Sequence, residues 1–379
     1  MTLKEIQIYE FTDLPGGEHY WLQQISEKLG ASLIRFWDRQ DNRPNLKSRG
    51  IFNFAIYIIT KVALVLSPKI ARGIYSLFGI YTYKIESTCK INIISSTFIP
   101  LPRSRGLIAY VHTPSRLLSI YSGRELRSRD GKIISMLYFR VWKAIYYFLY
   151  KSSFSRAGLV ITNSINTQNR LKKYFGIDSV VVYPSQNVKQ FQNKRYDKYF
   201  FYPSRISPPK RQLFVLRAFA EFYRQNREFR LILASTSPNT DENRRYVEEV
   251  RKFIADHDLP VEIKLDLARS EILDAYSHAY LCLFAGEDED FGLIPVESMA
   301  SYKPIISVKE GGPMETIKDG ITGYLVSDEH EMAERMLELS GNLPRVKEMG
   351  LRGREHVERT FSDEKFVSDL LNLINTVGR

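Results

Sequence analysis

Two glutamates, Glu289 and Glu297, flank a turn that is predicted to lie between a strand and a helix. An apolar strand ends just before this turn, and a helix is predicted over residues 296–301. In open α/β sheets, ligands bind at the carboxyl ends of the strands, where a helix N-terminus offers free N–H groups. Carboxylates accept hydrogen bonds from paired hydroxyls. The two glutamates therefore fit a polyhydroxylated ligand, although acidic residues at such a turn also serve as ordinary helix caps.

Two basic residues, Arg205 and Lys210, follow a predicted strand and precede a helix predicted over residues 210–223. A cation near a helix N-terminus opposes the macrodipole, so an anionic ligand bound there would resolve the conflict. A positioned Arg and Lys stabilise the charge that develops on a leaving diphosphate, and this chemistry requires no metal. The alternative interpretation of each residue is solvated surface charge.

The first half of the chain offers two further candidates. His112 follows a predicted strand over residues 107–111, where it could face a ligand or bond to a loop carbonyl. Gly16 and Gly17 follow the first predicted strand, and a backbone without side chains lets a ligand approach closely. An isolated pair of glycines is a weak signal by itself.

Strands that alternate with helices must position these residues. In the first half, strands are predicted over residues 6–11, 32–37, 91–99, 107–111, 159–162 and 179–183. In the second half, they are predicted over residues 199–202, 230–234, 262–265, 281–284 and 304–308. This alternation is typical of a parallel, doubly wound sheet. We therefore expect an α/β protein with two such units in tandem.

The length of 379 residues favours two domains, since one domain usually holds roughly 100–200 residues. The polar stretch 186–198 fits a linker between them. We expect an N-terminal domain over residues 1–187 and a C-terminal domain over residues 188–359. Cys89 and Cys282 show neither metal-ligand spacing nor a disulfide framework, which fits a reducing compartment.

The net charge of +11 is unevenly distributed. Residues 1–190 hold 27 basic and 11 acidic side chains, whereas residues 191–379 hold 27 and 32. A basic half can attract nucleic acid, an anionic membrane leaflet or an acceptor that carries a diphosphate, because all three present phosphates. Charge alone leaves these three partners open.

Membrane contact is one of two interpretations of the aromatic, basic stretch over residues 136–151. Such a stretch can lie on a membrane surface, or it can form a buried helix. The longest apolar run, residues 51–66, falls short of the ~20 residues that span a bilayer. Residues 1–9 lack the basic start and apolar centre of a secretion signal. We expect a cytoplasmic protein that could also bind peripherally to the inner face of the membrane.

The spacing of Glu289 and Glu297, with Phe291-Gly292-Leu293 between them, resembles the E-x7-E signature of family 4 glycosyltransferases. The segment from Ser204-Arg205 to Lys210 resembles the family's G-R-x-x-x-x-K segment, in which the Arg and Lys hold the donor diphosphate. The run from His112 to Arg116 resembles the H-T-P-x-R segment of its mannosyltransferase-like members. The Gly16-Gly17 pair resembles the family's first glycine loop. The resemblance covers essentially the whole chain.

The resemblance implies a GT-B fold, with two Rossmann-like domains and a terminal helix, about residues 360–379, that packs back on the N-terminal domain. It implies a retaining hexosyltransferase whose C-terminal domain binds a nucleotide sugar and whose N-terminal domain binds a glycan or lipid-linked acceptor. GDP-mannose is the favoured donor and a UDP-sugar is next. No cofactor, no metal and no nucleic acid partner is expected.

The same resemblance assigns roles to individual residues. The expected catalytic residues are His112, Arg205, Lys210 and Glu289. The expected donor-binding residues are Gly16, Gly17, Ser204, Arg205, Lys210, Leu267, Glu289, Phe291, Gly292, Leu293 and Glu297. The expected acceptor-binding residues are His112 and Arg116.

Two departures from the family pattern leave the nucleotide base open. The run from Leu231 to Thr236 lacks the glycine that usually follows this strand in relatives, and the run from Leu265 to Ala268 lacks the usual glycine near the base. Two other functions also remain open at this point. One is a non-catalytic GT-B-like protein that binds a partner through its basic N-terminal half, and the other is a sugar-nucleotide epimerase.

Overall fold

A computed structural model describes residues 6–10, 26–27, 29–35, 37–38, 43–44, 91–96, 101, 106–114, 144–145 and 147–377. The chain divides into two compact units. The first comprises Met1–Tyr183 together with Val367–Arg379, and the second comprises Pro184–Phe366. The boundary expected after residue 187 falls inside the second unit, because Gln186 forms a β-bridge with Ser362 and donates its backbone N–H to the carbonyl of Phe361.

The first unit contains a parallel sheet. Its strands are β1 (Ile6–Glu10), β2 (Ser32–Arg35), β5 (Ile91–Ser96), β6 (Leu107–Val111), β7 (Leu159–Thr162) and β8 (Val180–Val181). Their order across the sheet is β2-β1-β5-β6-β7-β8. A two-residue antiparallel pair, β3 (Trp37–Asp38) and β4 (Arg43–Pro44), lies apart from it. Helix α1 (Ile165–Phe175) begins at Ser164, whose hydroxyl accepts from the Thr167 N–H as an N-cap.

The second unit contains another parallel sheet. Its strands are β9 (Tyr199–Pro203), β10 (Arg230–Ser235), β11 (Val261–Leu265), β12 (Leu281–Phe284), β13 (Ile305–Val308) and β14 (Gly323–Val326). Their order is β11-β10-β9-β12-β13-β14. This is the strand order of Rossmann sheets, in which the chain direction across the sheet reverses between the first and fourth strands. The reversal lies between β9 and β12.

Helices cover the second sheet. They are α2 (Gln212–Gln225), α3 (Asp241–Asp256), α4 (Arg269–His278), α5 (Leu293–Ala300), α6 (Pro313–Thr316), α7 (Glu329–Ser340) and α8 (Leu343–Thr360). Helix α9 (Asp363–Val377) follows α8 and ends in the first unit. Aromatic side chains fill much of the core, and Phe200, Phe219, Phe222 and Phe229 contact one another there.

The observed elements confirm the predicted α/β class with two parallel sheets. Strands buried on both faces are continuous apolar runs, which is why β6, β7 and β12 have the predicted bounds. The helix expected over residues 296–301 instead begins at Leu293, so Glu297 lies in its second turn. No helix among the described residues is both long and apolar enough to span a membrane.

Candidate active site

The candidate site lies where the strand order of the second sheet reverses. The loop after β9 carries Lys210 and the loop after β12 carries Glu289, and these two strands are neighbours in the sheet. Open α/β sheets bind ligands in the crevice at such a switch point, outside the carboxyl ends of the strands. The topology therefore brings together two residues that are far apart in sequence.

Lys210 and Glu289 form a close ion pair. Lys210 Nζ donates to Glu289 Oε2 over 2.5 Å, and the two side chains are 21% and 25% exposed. The Phe284 ring lies 5.6 Å from Nζ and shields one side of the ammonium. Partial burial strengthens the interaction of this cation with charge because less water screens it. The pair presents a cation and a hydrogen-bond acceptor side by side at the carboxyl edge of the sheet.

Three backbone and hydroxyl contacts hold the two loops in place. The buried Tyr202 hydroxyl donates to the Lys210 carbonyl over 2.5 Å and accepts from the Ala285 N–H over 3.4 Å. Burial raises the pKa of this phenol well above its usual range, so it stays protonated. The Glu287 N–H donates to the Pro209 carbonyl over 2.7 Å. The two loops are thus joined directly to each other.

Two glycines shape the turn between Glu289 and α5. Gly292 has φ 89°, which a residue with a Cβ rarely adopts, and it lies directly before the helix. Gly312 packs so closely that an added Cβ would overlap the backbone of Phe291. The Gly312 N–H also donates to the Glu289 carbonyl over 2.8 Å. The loop after β13 therefore helps to hold the backbone of Glu289 in place.

Arg211 forms ion pairs with the loops after β12 and β13. Its guanidinium lies 2.8 Å from Glu310 and 3.5 Å from Glu287, which belong to the loops after β13 and β12. Its backbone has φ 48° at the start of α2, a left-handed conformation that is uncommon for a residue with a side chain. Such local strain persists only when surrounding contacts enforce it, and it concentrates at functional sites. Sequence reasoning missed Arg211, because its partners become neighbours only in the fold.

Glu297 lies in a separate cluster of polar side chains. Its Oε2 accepts from the Tyr276 hydroxyl over 3.0 Å, and its Oε1 accepts from Gln186 Nε2 over 3.3 Å. Arg269 Nη1 forms an ion pair with Oε1 at 2.8 Å. The charge of the carboxylate is thus balanced, and its orientation is fixed, by residues that belong to no motif in the chain. Arg269 and Tyr276 lie on α4 and Gln186 lies before β9, so only the fold brings these three residues to Glu297.

The other predicted donor-binding residues lie around these clusters. Ser204 is buried and its N–H donates to the Ala234 carbonyl. The Arg205 side chain is exposed, and only the backbone carbonyl of Arg205 accepts a hydrogen bond, from Gln212 Nε2. Phe291 is buried against Phe361, with ring centroids 5.5 Å apart. Leu267 and Leu293 are half-buried. The structure thus joins Lys210 to Glu289 but brings neither Arg205 nor Glu297 into contact with that pair.

Asp266 lies in the run from Leu265 to Ala268, which lacks the glycine usual in the family pattern. It has φ 54°, the left-handed conformation that glycine adopts most readily. Aspartate tolerates this conformation because its short carboxylate bonds locally. Here one carboxylate oxygen accepts from the Ser237 N–H over 2.8 Å and the other accepts from the Ser237 hydroxyl. The loops after β10 and β11 are joined by this contact at the rim of the site.

In the first unit, His112 follows β6 and is half-buried, with its ring centroid 4.8 Å from that of Tyr110. Gly16, Gly17 and Arg116 lie outside the described residues, so their expected roles stay predictions. Among the side chains that the structure describes, none form a group of three or more His, Cys, Asp or Glu able to hold a metal ion.

Comparison with known proteins shows which family and which relatives this chain resembles. The model of the family Glycosyl transferases group 1 matches residues 186–356, the stretch that carries Lys210, Glu289 and Glu297. The chain is 24% identical over 307 residues to alpha-1,3/1,6-mannosyltransferase ALG2 of Homo sapiens, which covers 72% of this chain and 68% of the human protein. It is 26% identical over 298 residues to GDP-Man:Man(3)GlcNAc(2)-PP-Dol alpha-1,2-mannosyltransferase of Dictyostelium discoideum, covering 70% of this chain and 58% of that protein.

A solved structure shares the fold along the whole chain. The Anabaena HepE protein in complex with UDP and glucose superposes with a TM-score of 0.67 at 15% identity, over 98% of this chain and 99% of the other. The named relatives are transferases, so a glycosyltransferase is favoured over a non-catalytic binding protein or an epimerase. Residues 186–356 thus match a glycosyltransferase family, and the relatives and the fold support a GT-B glycosyltransferase of the family 4 type.

Proposed function

We propose that the protein transfers mannose from GDP-mannose to a glycan or lipid-linked glycan, with retention of the anomeric configuration. The observation that carries this proposal is the ion pair between Lys210 and Glu289 at the switch point of the second sheet. The names of the mannosyltransferase relatives favour GDP-mannose and a lipid-linked acceptor. A UDP-sugar is the second candidate, because the Anabaena neighbour was solved with UDP.

Lys210 and Arg205 are proposed to bind the donor diphosphate. As the bond between the sugar C1 and the diphosphate oxygen breaks, negative charge grows on the leaving group, and a cation already in place stabilises it. Lys210 is half-buried and held by its loop, so it needs little reorganisation. Arg205 is exposed and would have to fold over the ligand.

The two glutamates are proposed to bind hydroxyl groups. Glu289 would accept hydrogen bonds from the transferred sugar beside Lys210, and Glu297 would accept them from the ribose. His112 is proposed to make a polar contact to the same sugar. A new bond forms between C1 and the acceptor oxygen on the face that the diphosphate leaves, and the acceptor proton departs with the nucleoside diphosphate. The protein contributes orientation and charge to this exchange, and no metal step is invoked.

The test is transfer measured over a panel of nucleotide sugars, with the anomeric configuration of the product determined by NMR. Lys210→Ala should lower kcat/KM by about 10²- to 10³-fold, the usual cost of losing one charge-stabilising contact. Arg245→Gln is a matched control, because it removes an exposed positive charge of the same unit far from the ion pair in sequence. Equal losses in the two variants, or an inverted product, would contradict the proposal.

Peripheral contact with an anionic membrane on the cytoplasmic side is a separate proposal. In the described part of residues 136–151, Tyr150 is fully buried, while Phe148 is 68% exposed and Lys151 is exposed. The segment therefore has both a core side and an open side. Sedimentation with anionic vesicles should weaken in Phe148→Ser relative to the wild type. Unchanged binding by that variant would count against membrane contact through this segment.

A further inference from the structure

The carboxylate of Glu297 already has three polar partners. A carboxylate offers about four lone-pair positions. Tyr276 and Gln186 each donate one hydrogen bond to it, and Arg269 adds an ion pair at 2.8 Å. A ribose presents two neighbouring hydroxyls, and both must find acceptor positions. The ribose hydroxyls and these three partners therefore compete for positions around the carboxylate.

The three partners differ in how firmly they are held. Tyr276 is fully buried, and Gln186 is buried while its backbone is tied to Phe361. The Arg269 side chain is 47% exposed and rests against the Phe191 ring, with its guanidinium 5.3 Å from the ring centroid. An exposed ion pair is weak because solvent screens it. Arg269 is thus the partner that a ligand can displace at least cost.

The position of Arg269 in its helix supports the same conclusion. It is the first residue of α4, whose N-terminus carries partial positive charge. A cation is unfavourable there, so the helix itself does not hold the guanidinium in place. Glu297 and Phe191 supply the contacts that do. A ligand that takes over the carboxylate would release Arg269 to the solvent side of the loop after β11.

We infer that Arg269 is a specificity-determining residue of the donor site, which pairs with Glu297 and competes with the ribose hydroxyls of the donor for its carboxylate. The inference rests on the proposed function, since it takes Glu297 as the ribose ligand. Arg269 lowers the affinity for the nucleoside, because it competes for the Glu297 carboxylate. With Arg269 in place, removal of the 2′-hydroxyl from the ligand therefore costs less affinity than it would with a free carboxylate.

The experiment compares binding of GDP and 2′-deoxy-GDP to the full chain by calorimetry at about 0.15 M salt, where the Debye length is about 8 Å. Arg269→Gln should tighten GDP binding by about two- to fivefold, the value of one exposed ion pair. Binding of 2′-deoxy-GDP should tighten less, because one hydroxyl that profits from the freed carboxylate is absent. UDP and 2′-deoxy-UDP serve as the second pair of ligands.

Two controls separate competition from a general change in charge. Arg245→Gln removes an exposed arginine elsewhere in the same unit and should leave all affinities unchanged. In a Glu297→Gln background, adding Arg269→Gln should have no further effect, because the ion pair is already lost. The melting temperature of each variant establishes that it is folded.

The possible results separate the inference from the proposed function. If the wild type binds nucleoside diphosphates but Arg269→Gln binds them equally or more weakly, the competition inference is wrong and the proposed function stands. The inference is equally wrong if the variant tightens the ribo and deoxy ligands to the same extent. If the wild type binds neither GDP nor UDP, the proposed function fails first, and the inference fails with it.

Discussion

Acidification should destabilise the protein through His356, which lies on α8 and is 7% exposed. Its Nδ1 is 3.3 Å from the Thr360 hydroxyl, and its ring packs against Phe361. Burial and the nearby positive charge of Lys318 lower the pKa of the imidazole from 6.5 to about 4. The folded protein therefore keeps this histidine neutral at a pH where the unfolded chain protonates it.

The sign and size of the effect follow from that difference. The unfolded chain binds the extra proton between pH 6.5 and about 4, so the free energy of unfolding falls as pH drops through this window and is unaffected above it. The full difference corresponds to about 3 kcal/mol, since each pKa unit is worth about 1.4 kcal/mol. This is a large part of the roughly 5–15 kcal/mol that stabilises a typical domain.

The measurement is urea unfolding of the wild type and of His356→Gln from pH 4 to pH 8, followed by circular dichroism. Glutamine keeps a polar side chain of similar length and does not titrate. The pH dependence contributed by all other groups therefore cancels when the free energies of unfolding of the two proteins are subtracted. The wild type should lose about 3 kcal/mol more than the variant on acidification. Parallel curves across the whole range would refute the reasoning.

Three other substitutions test ion pairs, packing and buried hydrogen bonds of the second unit. Arg211→Gly should change the melting temperature little, because relief of the left-handed backbone, about 1–2 kcal/mol, offsets two ion pairs of at most ~1 kcal/mol each. The same variant should lower kcat in the transfer assay at least about tenfold, since its two glutamate partners lie in loops next to the proposed donor site. Gly350→Ala should destabilise by about 1–3 kcal/mol in urea unfolding, because the added Cβ would overlap the Tyr302 carbonyl. Lys303→Met should cost about 1–3 kcal/mol in the same assay, because its buried amine donates to Asn193 and to a backbone carbonyl that would both lose their donor. Unchanged kcat in the first case, or wild-type midpoints in the other two, would contradict these assignments.

The strands were the most predictable part of the fold, for a physical reason. A parallel strand is covered on both faces, so it must be an apolar run, as Leu281–Phe284 and Leu107–Val111 are. The strand Gly323–Val326 was not predicted, because only its first and last residues are buried and it begins with a glycine that approaches Ile305. A short strand at the edge of a sheet carries a weaker pattern.

The site was predictable only in part. Lys210 and Glu289 each follow an apolar strand and precede a predicted helix, which placed both in loops after parallel strands, and the fold brings them into contact. Arg211 and Arg269 could not be selected, because their significance depends on ion pairs with residues remote in sequence. Nothing in a linear pattern shows that Arg211 adopts a left-handed backbone.

The buried hydroxyl of Tyr202 has a consequence for how relatives of this enzyme could change their donors. One oxygen atom serves the loop that carries Lys210 and the loop that leads to Glu289, so a shift of either loop disturbs the other. Gradual remodelling of these two loops is therefore constrained, since two segments would have to mutate in concert. The loops that carry Ser237 and Asp266 are joined by one exposed carboxylate, so a single substitution of Asp266 can separate them. Laboratory evolution towards a different nucleotide should begin there.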